Sequence, residues 1–231
     1  AATTTVVPAC GTAQYSVDVN VTALGSGSPA ITDGTTTWPV SATGVVNVGP
    51  FASGSSVTLT LLHGSDSTCN LPLGSFNYSC PPANDECANA IVLTPGAVFA
   101  TNPLVGTNVA ASSNPSDPAP TCDNFNFATN GKDVWYTVTV PASGSLTVET
   151  NNNSDAGMTD TGIEVYSGTC GALTFIECDA DDSADGNFSI ISLTGRTPGE
   201  VLLVRVWGYN TNVGSFQVSA YDASLSSGSF D

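Results

Sequence analysis

Short runs in which apolar and polar residues alternate, broken by Gly and Pro, constrain this chain more than any other feature. Tyr15, Val17, Val19 and Val21 alternate with Ser16, Asp18, Asn20 and Thr22; Val57, Leu59 and Leu61 alternate with Thr58 and Thr60. A period of two puts every second side chain on the same face of an extended strand, so each run has one face to bury and one to leave in water. The helical period is almost absent. Only residues 84–90 read as a helical turn, with Asn84 or Asp85 as cap and Glu86 in the first turn. The pattern predicts an all-β protein.

The runs fall into two groups. Residues 1–80 hold shorter strands around 45–48 and 76–79 beside the two clear ones, and about six or seven strands at that spacing predict an Ig-like β-sandwich. Residues 81–223 contain strands at 134–140, 145–150, 162–166, 173–178, 188–193, 201–207 and 215–221. Turn residues separate them, among them Pro141-Ala-Ser-Gly144, Asp185-Gly186 and Thr197-Pro-Gly199. That spacing predicts a second sandwich or jelly roll. The Pro-rich stretch from Cys80 to Cys87 joins the two domains, and the Ser/Gly-rich 224–231 reads as a linker. The buried aromatics of the second domain are expected to be Phe175, Trp207, Phe216 and one of Trp135 and Tyr136. Both registers of that pair present a large side chain.

Charge narrows the function. Lys132, Arg196 and Arg205 are the three basic residues against twenty acids, for a net charge of -17. Three cations cannot neutralise a phosphate backbone, so nucleic acid is excluded as a partner. An anionic membrane surface repels the chain, and no run reaches the roughly 20 apolar residues of a membrane span. His63 is the sole imidazole and follows a strand just before Gly64, which places it in a surface turn. No G-x-S-x-G elbow accompanies it. The residues therefore point away from an enzyme.

Seven cysteines indicate an oxidising compartment. Cys87, Cys122, Cys170 and Cys178 allow three pairings. One of these pins a 170–178 hairpin with a short bridge and closes a long loop from Cys87 to Cys122. In the first domain Cys10 is expected to bridge Cys69, with Cys80 the alternative, and the odd cysteine is free or pairs elsewhere, another chain included. The N-terminal start at Ala1 reads as a mature chain freed of an export signal.

The acids are not spread evenly. Residues 1–80 carry -3 and residues 81–231 carry -14, and eight acids stand between Asp155 and Asp185 with no basic residue among them. Such a cluster either spreads into solvent or gathers a hard cation, and calcium takes six to eight oxygens in flexible geometry. Asp179, Asp181, Asp182 and Asp185 share one inter-strand loop, and Asp160 sits just before the strand at 162–166. These five are the candidate calcium ligands.

Ordered landmarks in the second domain carry a resemblance. They are Cys80-Pro-Pro-Ala-Asn-Asp-Glu-Cys-Ala-Asn-Ala90, Asp133-Val-Trp-Tyr136, Val165-Tyr-Ser-Gly-Thr-Cys-Gly171, Cys178-Asp179, Val204-Arg-Val206 and Gly208-Tyr209. Over about 84–222 the chain resembles the pre-peptidase C-terminal and CUB-like β-sandwich domains of secreted Bacteroidota proteins. The first domain, through Gln14-Tyr-Ser-Val17 and Val48-Gly-Pro-Phe51, resembles the Ig-like repeats that precede them. The tail, Ala223-Ser-Leu-Ser-Ser-Gly-Ser-Phe-Asp231, resembles the segment before a type IX secretion sorting domain, which is expected either to be cleaved after export or to lie beyond these residues. The resemblance implies an extracellular accessory module, often calcium-containing and rarely catalytic, exported by the type IX machinery. Asp182-Ser-Ala184 and Asp66-Ser-Thr68 resemble the O-glycosylation acceptor pattern of that phylum, with Ser183 and Ser67 as acceptors.

The expectation is thus a non-enzymatic, extracellular adhesion or scaffold protein of two β-sandwiches. Its partners would be other surface proteins, glycans or copies of itself. Two alternatives stand beside it: a filament subunit whose 3–7 segment completes a neighbour's sheet, and a carbohydrate-binding or accessory module of a larger hydrolase.

Overall fold

The computed structural model describes residues 1–25, 27–122, 131–154 and 157–224. The acid Asp155 and most of the 224–231 tail lie outside the described residues. The chain divides into two compact units, Ala1–Cys80 and Pro81–Asp231. Both are all-β sandwiches.

In the first unit, β1 (Ala2–Ala9), β2 (Gln14–Val21), β3 (Ala30–Thr32), β4 (Thr37–Pro39), β5 (Gly44–Ala52), β6 (Ser56–Leu62) and β7 (Leu71–Asn77) form two antiparallel sheets. Their orders are β1-β2-β5 and β4-β3-β6-β7. The alternation read in the sequence sets the core: Tyr15, Val17 and Val19 of β2 are buried against Ile31, Val48 and Leu59. Each such burial contributes about 1.5–3 kcal/mol. Tyr15 keeps its polar end satisfied by donating to the carbonyls of Ser55 at 2.9 Å and Phe76 at 3.1 Å. β1 pairs with β2 along its whole length, from Ala2 opposite Val21 to Ala9 opposite Gln14. The 3–7 segment therefore completes its own sheet and is not a free strand.

The disulfide of this unit joins Cys10 to Cys80, and Cys69 is an exposed free thiol. This corrects the expected Cys10–Cys69 bridge. Cys10 follows β1 in the turn to β2, and the end of β7 returns to that turn, where Gly54 N donates to Tyr78 O and Cys80 N to Ser53 Oγ. Cys69 lies in the β6–β7 connection at the opposite end, near Ala1 and Val21.

The second unit contains β8 (Ile91–Leu93), β9 (Leu104–Thr107), β10 (Val134–Thr139), β11 (Leu146–Asn152), β12 (Thr161–Thr169), β13 (Ala172–Asp179), β14 (Ile190–Leu193), β15 (Val201–Gly208) and β16 (Ser215–Tyr221). A five-stranded sheet, β13-β12-β15-β10-β8, packs on a four-stranded one, β14-β11-β16-β9. Val134, Tyr136, Val165 and Val204 from the first meet Val148, Ile191, Phe216 and Val218 from the second. Both members of the Trp135/Tyr136 pair are buried, which is why the sequence could not choose between them. Tyr136 enters the core between the sheets, and Trp135 lies on the outer face, packed with Cys87, Tyr166 and Leu203. Phe175, expected in the core, is 50% exposed. It lies on the edge strand β13, which has one hydrogen-bonded neighbour and little to cover its outer side.

The bridges here are Cys87–Cys170 and Cys122–Cys178. The 170–178 hairpin does form, but no short bridge can close it. Cys170 sits at its tip, whereas Cys178 stands opposite Glu164 far along the ladder, roughly 20 Å away at strand rise. The helical turn expected at 84–90 is a single 3-10 turn, Cys87–Asn89, without a side-chain cap. Asn84 is instead tied to β10: its carbonyl accepts from Trp135 N and its Nδ2 donates to Trp135 O, both at 2.9 Å.

Two checks follow. The unreduced, denatured chain should expose one thiol to a chromogenic disulfide reagent. Cys69→Ser should change stability by no more than about 0.5 kcal/mol, whereas loss of the Cys10–Cys80 bridge should cost about 2–4 kcal/mol, both read by urea denaturation.

Candidate functional site

Two regions of the second unit concentrate chemistry, and the sequence pointed to one of them. The first is a loop end. The connections β11–β12, β13–β14 and β15–β16 meet there: Tyr209 N donates to Asp160 O at 3.3 Å, Asn212 Nδ2 to Thr159 Oγ1 at 2.8 Å, and Thr161 N to Asn187 O at 3.0 Å. The buried Asn108 ties the floor, donating from Nδ2 to the carbonyls of Lys132 and Asn212 and accepting from Gly214 N.

The five candidate ligands have different roles at this end. Asp179 closes its own loop, accepting from Ile190 N at 2.8 Å and Asp182 N at 3.3 Å. Asp185 accepts from Ser183 Oγ, Asn187 N and Phe188 N. Burial opposes ionisation of Asp185, but those hydrogen bonds outweigh it and hold its carboxyl below the ordinary value. Asp181 and Asp182 are exposed. Asp160 is the strained member. Its Oδ1 is buried without a hydrogen-bond partner among the described residues. Burial, then repulsion from Asp181 and Asp185, raise its carboxyl above the ordinary value.

The structure thus brings Asp160, Asp181 and Asp185 near one another and commits Asp179 to the backbone. Among the described residues, no three His, Cys, Asp or Glu side chains stand so as to hold a metal ion. As placed, the five do not fit the calcium cage expected of them. Ser67 is exposed in a 3-10 turn capped by Asp66, whereas the half-buried Ser183 donates to Asp185. Ser65 Oγ lies 3.2 Å from His63 Nδ1, but Asp66 accepts from Thr68 and Cys69 and makes no hydrogen bond to the ring. No relay of Ser, His and acid is assembled in that loop.

The second region is the outer face of the five-stranded sheet. Register places Cys178, Glu164, Arg205 and Trp135 in one row across β13, β12, β15 and β10. Arg205 and Asp133 are fully buried, and Arg205 Nε donates to Asp133 Oδ2 at 2.7 Å. Arg205 Nη1 donates to Pro118 O at 2.7 Å, and its guanidinium lies 5.1 Å from the Trp135 ring centroid. Glu164, 1% exposed, accepts from Tyr166 OH and, at 3.3 Å, from Thr121 Oγ1. Burial pushes both carboxyls up, against the pull of Arg205. The sequence shows Arg205 as one of three cations and as part of the landmark Val204-Arg-Val206, and does not show which residues its charge meets. The signal was there: a lone charge inside the apolar run Val201-Leu-Leu-Val-Arg-Val-Trp207 has nowhere to go but a buried partner.

A family model described as galactose binding domain-like, of the T9SS-associated group, matches residues 83–213. The chain belongs to this family. This T9SS-associated, galactose binding domain-like unit carries both regions just described. The family's link to type IX secretion and the three disulfides mark a secreted protein. Among the described residues no helix is long and apolar enough to cross a membrane. A search of curated proteins finds no match.

Similar solved structures include the following three. The pre-peptidase C-terminal domain of a Bacillus anthracis collagenase is 12% identical, covering 62% of this chain and 99% of its own, with a TM-score of 0.34. A structure of carbohydrate-binding modules from the β-sandwich superfamily is 11% identical, covering 94% and 95%, with a TM-score of 0.27. Tripeptidyl peptidase 2 is 11% identical, covering 94% of this chain and 18% of its own, with a TM-score of 0.26. These likenesses are too distant to transfer a property.

The two regions respond in opposite ways to loss of charge. Arg205→Ala strands two buried carboxyls and should cost about 3–5 kcal/mol in urea denaturation. Asp160→Asn removes a repelled carboxylate and should raise the melting temperature by roughly 1–2 °C in calcium-free buffer. The gain has a pH signature. A carboxyl raised on folding destabilises nothing below its unfolded value of about 3.8, and its cost appears as pH rises through the folded value. The two melting curves should therefore converge at low pH.

Proposed function

We propose that this protein is an exported, non-enzymatic β-sandwich protein whose galactose binding domain-like unit binds neutral glycans and so serves adhesion or scaffolding at the cell surface. The observation that carries this reading is the make-up of the loop end. Asp160, Asp181, Asp185, Asn187 and Tyr209 converge there from three connections, within a unit whose family bears the galactose-binding description. Sugar hydroxyls donate to carboxylates and exchange hydrogen bonds with carboxamides, and a tyrosine ring offers a sugar a flat apolar partner. Net charge sets the ligand class. Residues 81–231 carry -14, which repels phosphorylated or sulfated ligands and leaves uncharged saccharides unaffected. The non-enzymatic part rests on residue supply: the sole imidazole, His63, belongs to the other unit.

A glycan array probed with the whole chain tests the reading. Neutral hexose-terminated glycans should bind, and Asp181→Ala and Tyr209→Ala should each weaken binding by about tenfold, the loss of one or two good hydrogen bonds or a ring contact. Absence of any signal from neutral glycans, or a preference for anionic ones, would overturn it. Running the array with calcium and again with a chelator also tests the cation expected from the sequence, because a signal confined to the calcium arm would restore it.

A further inference from the structure

Residues 109–122 run across the outer face of the five-stranded sheet without helix or strand. A segment lacking its own ladder is held only by what it touches. Apart from buried Ala111 and Pro120, this strap is held by polar and covalent ties. Ser112 bonds Asp85 through its N at 2.6 Å and its Oγ at 2.9 Å. Ser113 Oγ donates to Asp133. Pro118 O accepts from Arg205, Thr121 Oγ1 donates to Glu164, and Cys122 is bonded to Cys178. Cys178 is the cross-strand neighbour of Glu164, and Glu164 that of Arg205. The covalent tie therefore lies in the same row as the charges the strap covers.

We propose that this strap is an oxidation-set latch: formation of the Cys122–Cys178 bridge clamps it over the sheet and seals the Asp133–Arg205–Glu164 group from water. Closing joins two thiols into one disulfide. The two electrons and two protons pass to an external disulfide, which leaves as two thiols. In the dithiol state the strap keeps Ala111, Pro120 and its hydrogen bonds, and water competes for the charged partners of those bonds once they are uncovered, so no covalent tie then opposes opening. The same chain then shows two faces. Reduced, it presents the charged row; oxidised, it presents the backs of Pro118 and Thr121. The Cys87–Cys170 bridge fastens the segment before β8 to the hairpin tip; the strap's tie to that segment, Asp85, adjoins Asn84, which two hydrogen bonds to Trp135 hold in place without the bridge.

Backbone hydrogen exchange read by mass spectrometry on the full chain tests this. In Cys122→Ser/Cys178→Ser, amides of 109–122 and 133–135 should exchange about tenfold faster or more, while β11 and β16 keep their protection. Cys87→Ser/Cys170→Ser serves as the second variant and should leave the strap's exchange unchanged. Unaltered protection of 109–122 in the first variant would overturn the proposal, because the ionic group would then hold the strap by itself. Loss of protection throughout β11 and β16 would overturn it too, since the bridge would be sustaining the whole sandwich. Equal strap release in both variants would remove its specificity and count against it.

Discussion

A guanidinium out of water between two carboxyls is the interaction on which the second unit is arranged. Removing Arg205, Asp133 and Glu164 from solvent carries a desolvation cost of several kcal/mol per ion, and mutual attraction offsets it only when the remaining donors and acceptors are satisfied. That requirement explains much of the local architecture. A carbonyl must be brought to Arg205, so Pro118 is placed over the sheet. A hydroxyl must reach Glu164, so Thr121 is placed beside it. A flat ring must face the guanidinium, so Trp135 takes the outward register while Tyr136 takes the inward one. The strap, its disulfide and the paired orientation of adjacent aromatics are consequences of the same buried charge.

The outer face is consequently divided. The row Cys178, Glu164, Arg205, Trp135 is covered. The next row, Phe175, Tyr166, Leu203, Thr137 and Val92, is covered only in its middle, and Phe175 and Val92 at its two ends are exposed at 50% and 65%. The loop end that gathers Asp160 and Tyr209 is separate in chemistry, since Asp181, Asp182 and Asp185 face water and its hydrogen bonds fasten loops to one another. The same acidity plays two parts: near Arg205 it is compensated and dry, and near Asp160 it is uncompensated and partly wet.

What could be read in the sequence follows from the range of the interactions concerned. Strand alternation is local, so Val17 and Val19 in β2 and Val57 and Leu59 in β6 declared their inward faces, and the sandwich class followed. The break at Cys80 was visible because Pro and charge density change there. The disulfides were not legible, since pairing depends on which strands become neighbours, and neither Cys10–Cys80 nor Cys122–Cys178 has a local signature. Phe175 was misplaced because its exposure depends on β13 lying at a sheet edge. Arg205 was legible as a lone charge in an apolar run, but its partners come from 72 and 87 residues away in the chain.

The placement of the three basic residues has a consequence for survival outside a cell. Proteases of the trypsin type cut after Lys or Arg and need several residues around the bond drawn out into an extended, accessible form. Arg205 is fixed inside β15, fully buried. Arg196 is held by Glu200 at 2.5 Å in a turn stiffened by Pro198. Lys132 alone is left at the margin of the folded sandwich. A chain so poor in cations, which first looked like a limit on its chemistry, is thereby also one that a common class of extracellular protease finds few places to enter.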